Sequence, residues 1–189
     1  MILAKIRRIR VKKYISLLLT LVICASPALA MDRAKVKVGP AKFKTKEGIV
    51  AGAQGEFINI TAGGGASKGS GSITVLVPAN FAPEKGQSFD LFSLAGEKAE
   101  DNPDALALGF SATKTKIKGA TNVSSISYAE AAETDTTGKL KVKSYDPETK
   151  VLKFTIKAKA SPFTVNKGDG NETVEKALKI KALVVVTLP

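Results

Sequence analysis

The strongest constraint in the chain is a period of two. In residues 138–160, Leu140 and Val142 alternate with Lys139, Lys141 and Lys143; after Asp146, Pro147, Glu148 and Thr149, the residues Leu152, Phe154, Ile156 and Ala158 alternate with Lys153, Thr155, Lys157 and Lys159. Successive side chains of an extended strand point to opposite faces, so each run buries one face and wets the other. A helix of 3.6 residues per turn would smear the same pattern around its circumference. Pro147 suits the second position of a type I turn, and Asp146 can accept backbone hydrogen bonds at the first. The segment therefore predicts a β-hairpin with one wet face.

Residues 35–43, 56–62, 72–77, 88–94, 105–118, 123–129 and 177–188 alternate in the same way, separated by Pro- and Gly-bearing stretches at 78–87, 96–104 and 161–172. No stretch between strands has the helical spacing that a βαβ crossover needs. The reading is an all-β protein, a single antiparallel β-sandwich of about nine strands, with one short Ala- and Glu-rich helix at 128–133. Residues 51–72 depart from the strand rule because they hold Gly52, Gly55, Gly63, Gly64, Gly65, Gly69 and Gly71. The part from 63 to 71 reads as a flexible loop, since dense glycine has a high ordering entropy and nothing to pack. A phosphate-cradling loop is the alternative, although no Gly-Lys-Ser/Thr ending follows.

The first 30 residues read as a secretory signal peptide. Lys5, Arg7, Arg8, Arg10, Lys12 and Lys13 precede an apolar core around Leu17, Leu18 and Leu19, and Ala28-Leu29-Ala30 supplies the small-residue cleavage pattern. The apolar core is too short for a transmembrane helix, which takes about 20 apolar residues. Residues 31–189 are then one exported domain of 159 residues, with 23 Lys and Arg against 17 Asp and Glu, a charge of +6. The expected destination is the bacterial periplasm, the cell envelope or the outside, with no transmembrane segment in the mature chain. The single cysteine, Cys24, lies inside the signal.

The chain has no histidine, which removes Ser-His-Asp and Cys-His nucleophilic machinery and imidazole zinc sites. No catalytic residue, cofactor or metal site is expected. What the sequence does offer is lysine spaced by two: Lys35/Lys37, Lys42/Lys44/Lys46, Lys114/Lys116/Lys118, Lys139/Lys141/Lys143, Lys157/Lys159 and Lys179/Lys181. Each set shares one strand face. One reading is solvation and protection of exposed edges; the other is a surface for an anionic polysaccharide or another anionic envelope component, carried by Lys114, Lys116, Lys118, Lys139, Lys141 and Lys143. Arg33 is the only arginine after the signal, and no basic-aromatic stacking pattern appears, so nucleic acid is not expected.

Three further features give alternatives. The run from Leu183 to Leu188 becomes apolar on both faces, as in a strand covered on both sides or one that self-associates by adding to another subunit's sheet edge in a polymerising surface protein. Glu100, Asp101, Asn102, Pro103 and Asp104, and again Asp169, Gly170, Asn171 and Glu172, cluster oxygen ligands of the type calcium takes, yet are also ordinary turn sequences. A carboxylate-based glycan hydrolase is a third reading, argued against by the absence of Trp platforms for sugar rings.

The succession Ile58-Asn59-Ile60-Thr61-Ala62, Gly71-Ser72-Ile73-Thr74-Val75, Gly86-Gln87-Ser88-Phe89-Asp90-Leu91, Gly138-Lys139-Leu140-Lys141-Val142, Tyr145-Asp146 and Phe154-Thr155-Ile156-Lys157-Ala158 resembles small secreted bacterial β-sandwich proteins of unknown function, many of them lipoproteins. The resemblance implies a fold and an envelope location and brings no active residue with it.

Overall fold

In the computed structural model the alternating runs are strands throughout. Residues 32–66, 69–95, 104–118 and 122–189 are described, so the expected signal peptide lies outside them. Among the described residues the protein is all-β, with eleven strands: β1 Arg33–Val38, β2 Ala41–Thr45, β3 Ile49–Gln54, β4 Phe57–Ala66, β5 Gly69–Pro78, β6 Ser88–Ser93, β7 Leu106–Lys118, β8 Asn122–Asp146, β9 Val151–Asn166, β10 Asn171–Val174 and β11 Leu178–Thr187. No helix among the described residues is long and apolar enough to cross a membrane.

The predicted hairpin is β8–β9. Asp146 Oδ1 accepts the backbone N–H groups of Glu148 and Thr149 at 3.0 and 3.3 Å, as its place in the turn requires. Elsewhere the strand boundaries differ from the sequence reading. Residues 35–43 are two strands, divided at Gly39-Pro40, where Gly39 takes a left-handed φ of 54°. Residues 128–133 belong to β8 and not to a helix. Tyr128 pairs with Ala112 on one side and Val165 on the other, and Glu130 with Phe163. Two flanking ladders outweigh an Ala/Glu helix preference of a few tenths of a kcal/mol per residue. The stretch at 161–172 is also less open than expected, since β9 runs on to Asn166 and β10 begins at Asn171.

All strands form one sheet in the order β2-β1-β11-β9-β8-β6-β7-β5-β4-β3, with β10 beside β9 and a further pairing of β8 with β7. Pairing is antiparallel except between β6 and β7, which run parallel. Strands β2 and β3 stand at opposite ends of this order, yet only Lys46, Glu47 and Gly48 join them. Three residues reach across about 14 Å at most, so the sheet must curl until its ends meet. Accordingly β2 lies against β4, β5 and β7.

This closure accounts for Gly64 and Gly69. The Gly48 carbonyl accepts the Gly63 N–H at 2.7 Å. A Cβ on Gly64 would stand 2.9 Å from the Thr45 Cβ, and one on Gly69 would stand 3.0 Å from the Lys42 carbonyl oxygen. The glycine-rich segment is therefore neither a loop nor a phosphate cradle over its described part. It is two paired strands, β4 and β5, bare at Gly64 and Gly69 where β2 crosses close above them.

The inward residues of both halves of the curled sheet make one core. Val36, Phe43, Phe154, Ile156 and Ile180 come from one half, and Ile60, Ile73, Val75 and Leu108 from the other. The C-terminal strand β11 sits inside the sheet, with β1 on one side and β9 on the other.

Candidate anionic-ligand groove

Strand order turns the lysine ladders into rows. Lys42 on β2 faces Lys37 on β1, Lys37 faces Lys181 on β11, Lys181 faces Lys157 on β9, and Lys157 faces Lys139 on β8. Neighbouring strands are ~4.8 Å apart, so five lysines stand in one line about 19 Å long. Lys139 ends the line against Asp90 on β6, with Nζ 3.0 Å from Oδ1. A second row runs beside the first: Lys44, Lys35, Leu183, Thr155, Lys141 and Ser88. All of these side chains lie on the outer face, because their chain neighbours Val36, Phe43, Leu140, Ile156, Ile180 and Ala182 are buried in the core.

The rows line a groove of about 1050 Å³. Nine lysines border it, the eighth and ninth being Lys141 and the bulge residue Lys143, and none of the described residues lining it is acidic. Cross-strand neighbours of like charge disfavour each other. The flexible stems let the ammonium groups splay apart, leaving a positive field over a floor that contains Leu183 and Thr155.

The structure separates the two lysine triads picked out in the sequence. Lys139, Lys141 and Lys143 line the groove. Lys114 and Lys116 do not: on β7 they follow the parity of the buried Phe110 and Ala112, which puts them on the core side of the sheet, beyond the end of the core, with Lys114 half-buried. Lys118 ends β7 opposite Asn122, and its side chain lies outside the described residues. In their place the fold brings in Lys35, Lys37, Lys42, Lys44, Lys157 and Lys181. The tight Gly39-Pro40 turn could have signalled part of this, because it makes the Lys35/Lys37 and Lys42/Lys44 ladders direct neighbours.

The other candidates take ordinary structural places. Val184, Val186 and Leu188 of the apolar C-terminal run are buried in the core, and Leu183 is half-buried in the groove floor. Val185 points outward yet is buried, flanked in register by Arg33 and Lys153, whose aliphatic stems can shelter it. Asp169 and Gly170 lie in the β9–β10 turn, where Asn171 Oδ1 accepts from Asn166 Nδ2 at 2.9 Å and Glu172 pairs with Lys167 at 3.1 Å. Of the other acidic stretch only Asp104 is described; Glu100 to Pro103 lie outside the described residues. Among the described residues no group of three or more Cys, Asp or Glu is gathered as a metal site would need.

One carboxylate is unusual. Burial pushes the Glu130 carboxyl above its ordinary range, although it accepts hydrogen bonds from the Ser93 hydroxyl at 2.7 Å and from the backbone N–H groups of Phe110, Leu94 and Ala95. These partners come from β6, β7 and the residues following β6, so Glu130 ties the end of β6 to its neighbours. No protein family, curated protein or solved structure matches the chain.

Proposed function

We propose that this is an exported, non-enzymatic protein of the bacterial envelope or its surroundings that holds an anionic polymer, an acidic polysaccharide, in the lysine groove. The observation that carries the reading is the row of five lysines across five strands. Edge protection accounts for Lys42 and Lys44, since β2 ends the sheet, but not for Lys181 and Lys157, which sit on interior strands with no edge to guard. Lysines placed in register there work against sheet stability, and an anionic partner offsets that cost. The signal-like residues 1–30 support export, and the resemblance to small secreted envelope proteins agrees with it.

Lysine supplies a hydrated point charge and not a bidentate fork. Binding should therefore be broad, fast and sensitive to salt, since exposed charges are screened over about 8 Å at physiological ionic strength. The test is retention on immobilised polygalacturonate against a neutral glucan, with increasing salt. Replacing Lys37, Lys157 and Lys181 together by Gln should weaken retention roughly tenfold, at up to about 1 kcal/mol per exposed pair. Replacing Lys114 and Lys116 should leave it nearly unchanged. Equal retention of both variants and wild type on every anionic polymer tried would mean that the lysines are only a solvated face.

A further inference from the structure

We propose that the groove is built for a polyuronate, a chain with one carboxylate per sugar, laid across the strands so that successive carboxylates meet successive strands. The inference rests on the anionic-polymer reading and adds the ligand's charge spacing, direction and length.

The direction follows from the register. Along a strand, like-facing lysines are two residues apart, about 6.7 Å, and no strand bordering the groove supplies more than three. Across the strands, Lys42, Lys37, Lys181, Lys157 and Lys139 repeat every ~4.8 Å without interruption. A pyranose unit linked across its ring advances a polysaccharide by about one such step. Polyphosphate packs its charges more closely than this, and a glycerol- or ribitol-phosphate chain spaces them more widely, so neither stays in step with five strands.

The second row supplies what a sugar needs besides charge. At β11 and β9, the middle of the groove, the lysine positions are taken by Leu183 and Thr155. Leu183 offers an apolar seat for the C–H face of a ring, and Thr155 a hydroxyl for its oxygens. On either side of this seat Lys35, Lys44 and Lys141 restore the positive charge, so the second row adds to the field that holds the chain over the first. The line ends at Asp90, whose carboxylate engages Lys139 and repels an anionic chain running further. A site of about five uronate units results.

The experiment is a titration of the full mature chain with fluorescent oligogalacturonates of two to eight units, alongside polyphosphate and dextran sulfate. Affinity should climb with each unit up to about five and then flatten. Lys181→Gln should weaken the pentamer roughly two- to fivefold, the range of one exposed ion pair, and Lys116→Gln should not. Leu183→Glu puts an anion in the floor and should cost tenfold or more, while a circular dichroism spectrum equal to wild type shows that the fold survives. If polyphosphate and dextran sulfate bind as tightly, with the same dependence on Lys181 and no dependence on oligouronate length, the register inference is overturned and the general anion reading stands. If no anionic polymer binds, both fall.

Discussion

The two halves of the sheet are alike inside and unlike outside. Phe154, Ile156 and Ile180 of the lysine-bearing half and Ile60, Ile73 and Val75 of the other are equally buried and meet in one core. Outward, β1, β2, β9 and β11 carry lysine after lysine, whereas β3, β4 and β5 contain no charged residue at all. Their outer face is built from groups such as Asn59, Thr61, Ser72 and Thr74, with Thr61 and Thr74 hydrogen-bonded across the ladder at 3.1 Å. Folding asks only that alternate residues be apolar. The neutral half shows that a solvated outer face can be made without charge, so the lysines of the other half are not a requirement of the architecture.

The comparison can be broken first at its shared device. Each half holds one glycine in a left-handed conformation with φ of 154° pressed on its partner strand: Gly71 opposite Ala112, and Gly138 opposite Ala158. A Cβ on Gly71 would run into the Ser111 carbonyl oxygen, and one on Gly138 into that of Lys157. Backbone is a neighbour that cannot swing away. Gly71→Ala and Gly138→Ala should each cost about 2 kcal/mol or more, from backbone strain and overpacking together, as read by urea denaturation. Gly52→Ala, with nothing within 4 Å, should change stability by less than about 0.5 kcal/mol. Because the core is continuous, either damaging substitution should lower a single transition. Two separate transitions would show that the halves fold independently.

These glycines also mark what could be read from the sequence. Alternation made β1, β2, β6, β7, β11 and parts of β4, β5, β8 and β9 visible as extended chain, and Asp146 and Pro147 placed the β8–β9 turn correctly. The short strand β3 was hidden, because Ala51, Gly52 and Ala53 carry no periodic contrast. So was the purpose of Gly64 and Gly69, which are small on account of β2, a strand that precedes them by about twenty residues in the chain. The candidate site was half legible for the same reason. Spacing by two put lysines on a face, but membership of one groove depends on strand order, and strand order is set by long-range pairing that no local pattern encodes. Lys114 and Lys139 looked equivalent in the sequence; parity with Phe110 sends one to the core side, and parity with Leu140 sends the other to the groove.

A smaller effect is expected at the junction of the halves. Glu130 has a carboxyl whose proton affinity is raised on folding, chiefly by desolvation. In the window between the ordinary carboxylate range and that raised value, the folded protein binds more protons than the unfolded chain, so stability must fall as pH rises through it. Glu130→Gln keeps an acceptor for the Ser93 hydroxyl and removes the titration. It should flatten that decline and leave the variant more stable than wild type at neutral pH. Asp146 acts in the opposite sense: its carboxyl is lowered by the hydrogen bond from Thr149 and by the backbone N–H groups of Glu148 and Thr149, so its contribution is present above the ordinary range and lost as pH falls through the lowered value. Thermal melts from pH 3 to pH 8 separate the two, and an unchanged profile in Glu130→Gln would remove Glu130 as the cause.

The smallest effect bears most directly on why the halves differ. If the lysine row is kept for a ligand, it should be a burden on the free protein. Lys181 has Lys37 on one side and Lys157 on the other, so Lys181→Gln removes two unfavourable cross-strand neighbours at once and should stabilise the unliganded chain by about 0.5 kcal/mol at low salt. The gain should shrink toward zero near 1 M salt, where screening acts over about 3 Å. The equivalent exchange at an end of the row, Lys42→Gln, removes one such neighbour and should give about half the gain. A melting temperature that drops in Lys181→Gln at low salt would mean that the lysine stems contribute more through packing than their charges cost, and the contrast between the two halves would then be one of coverage and not of charge.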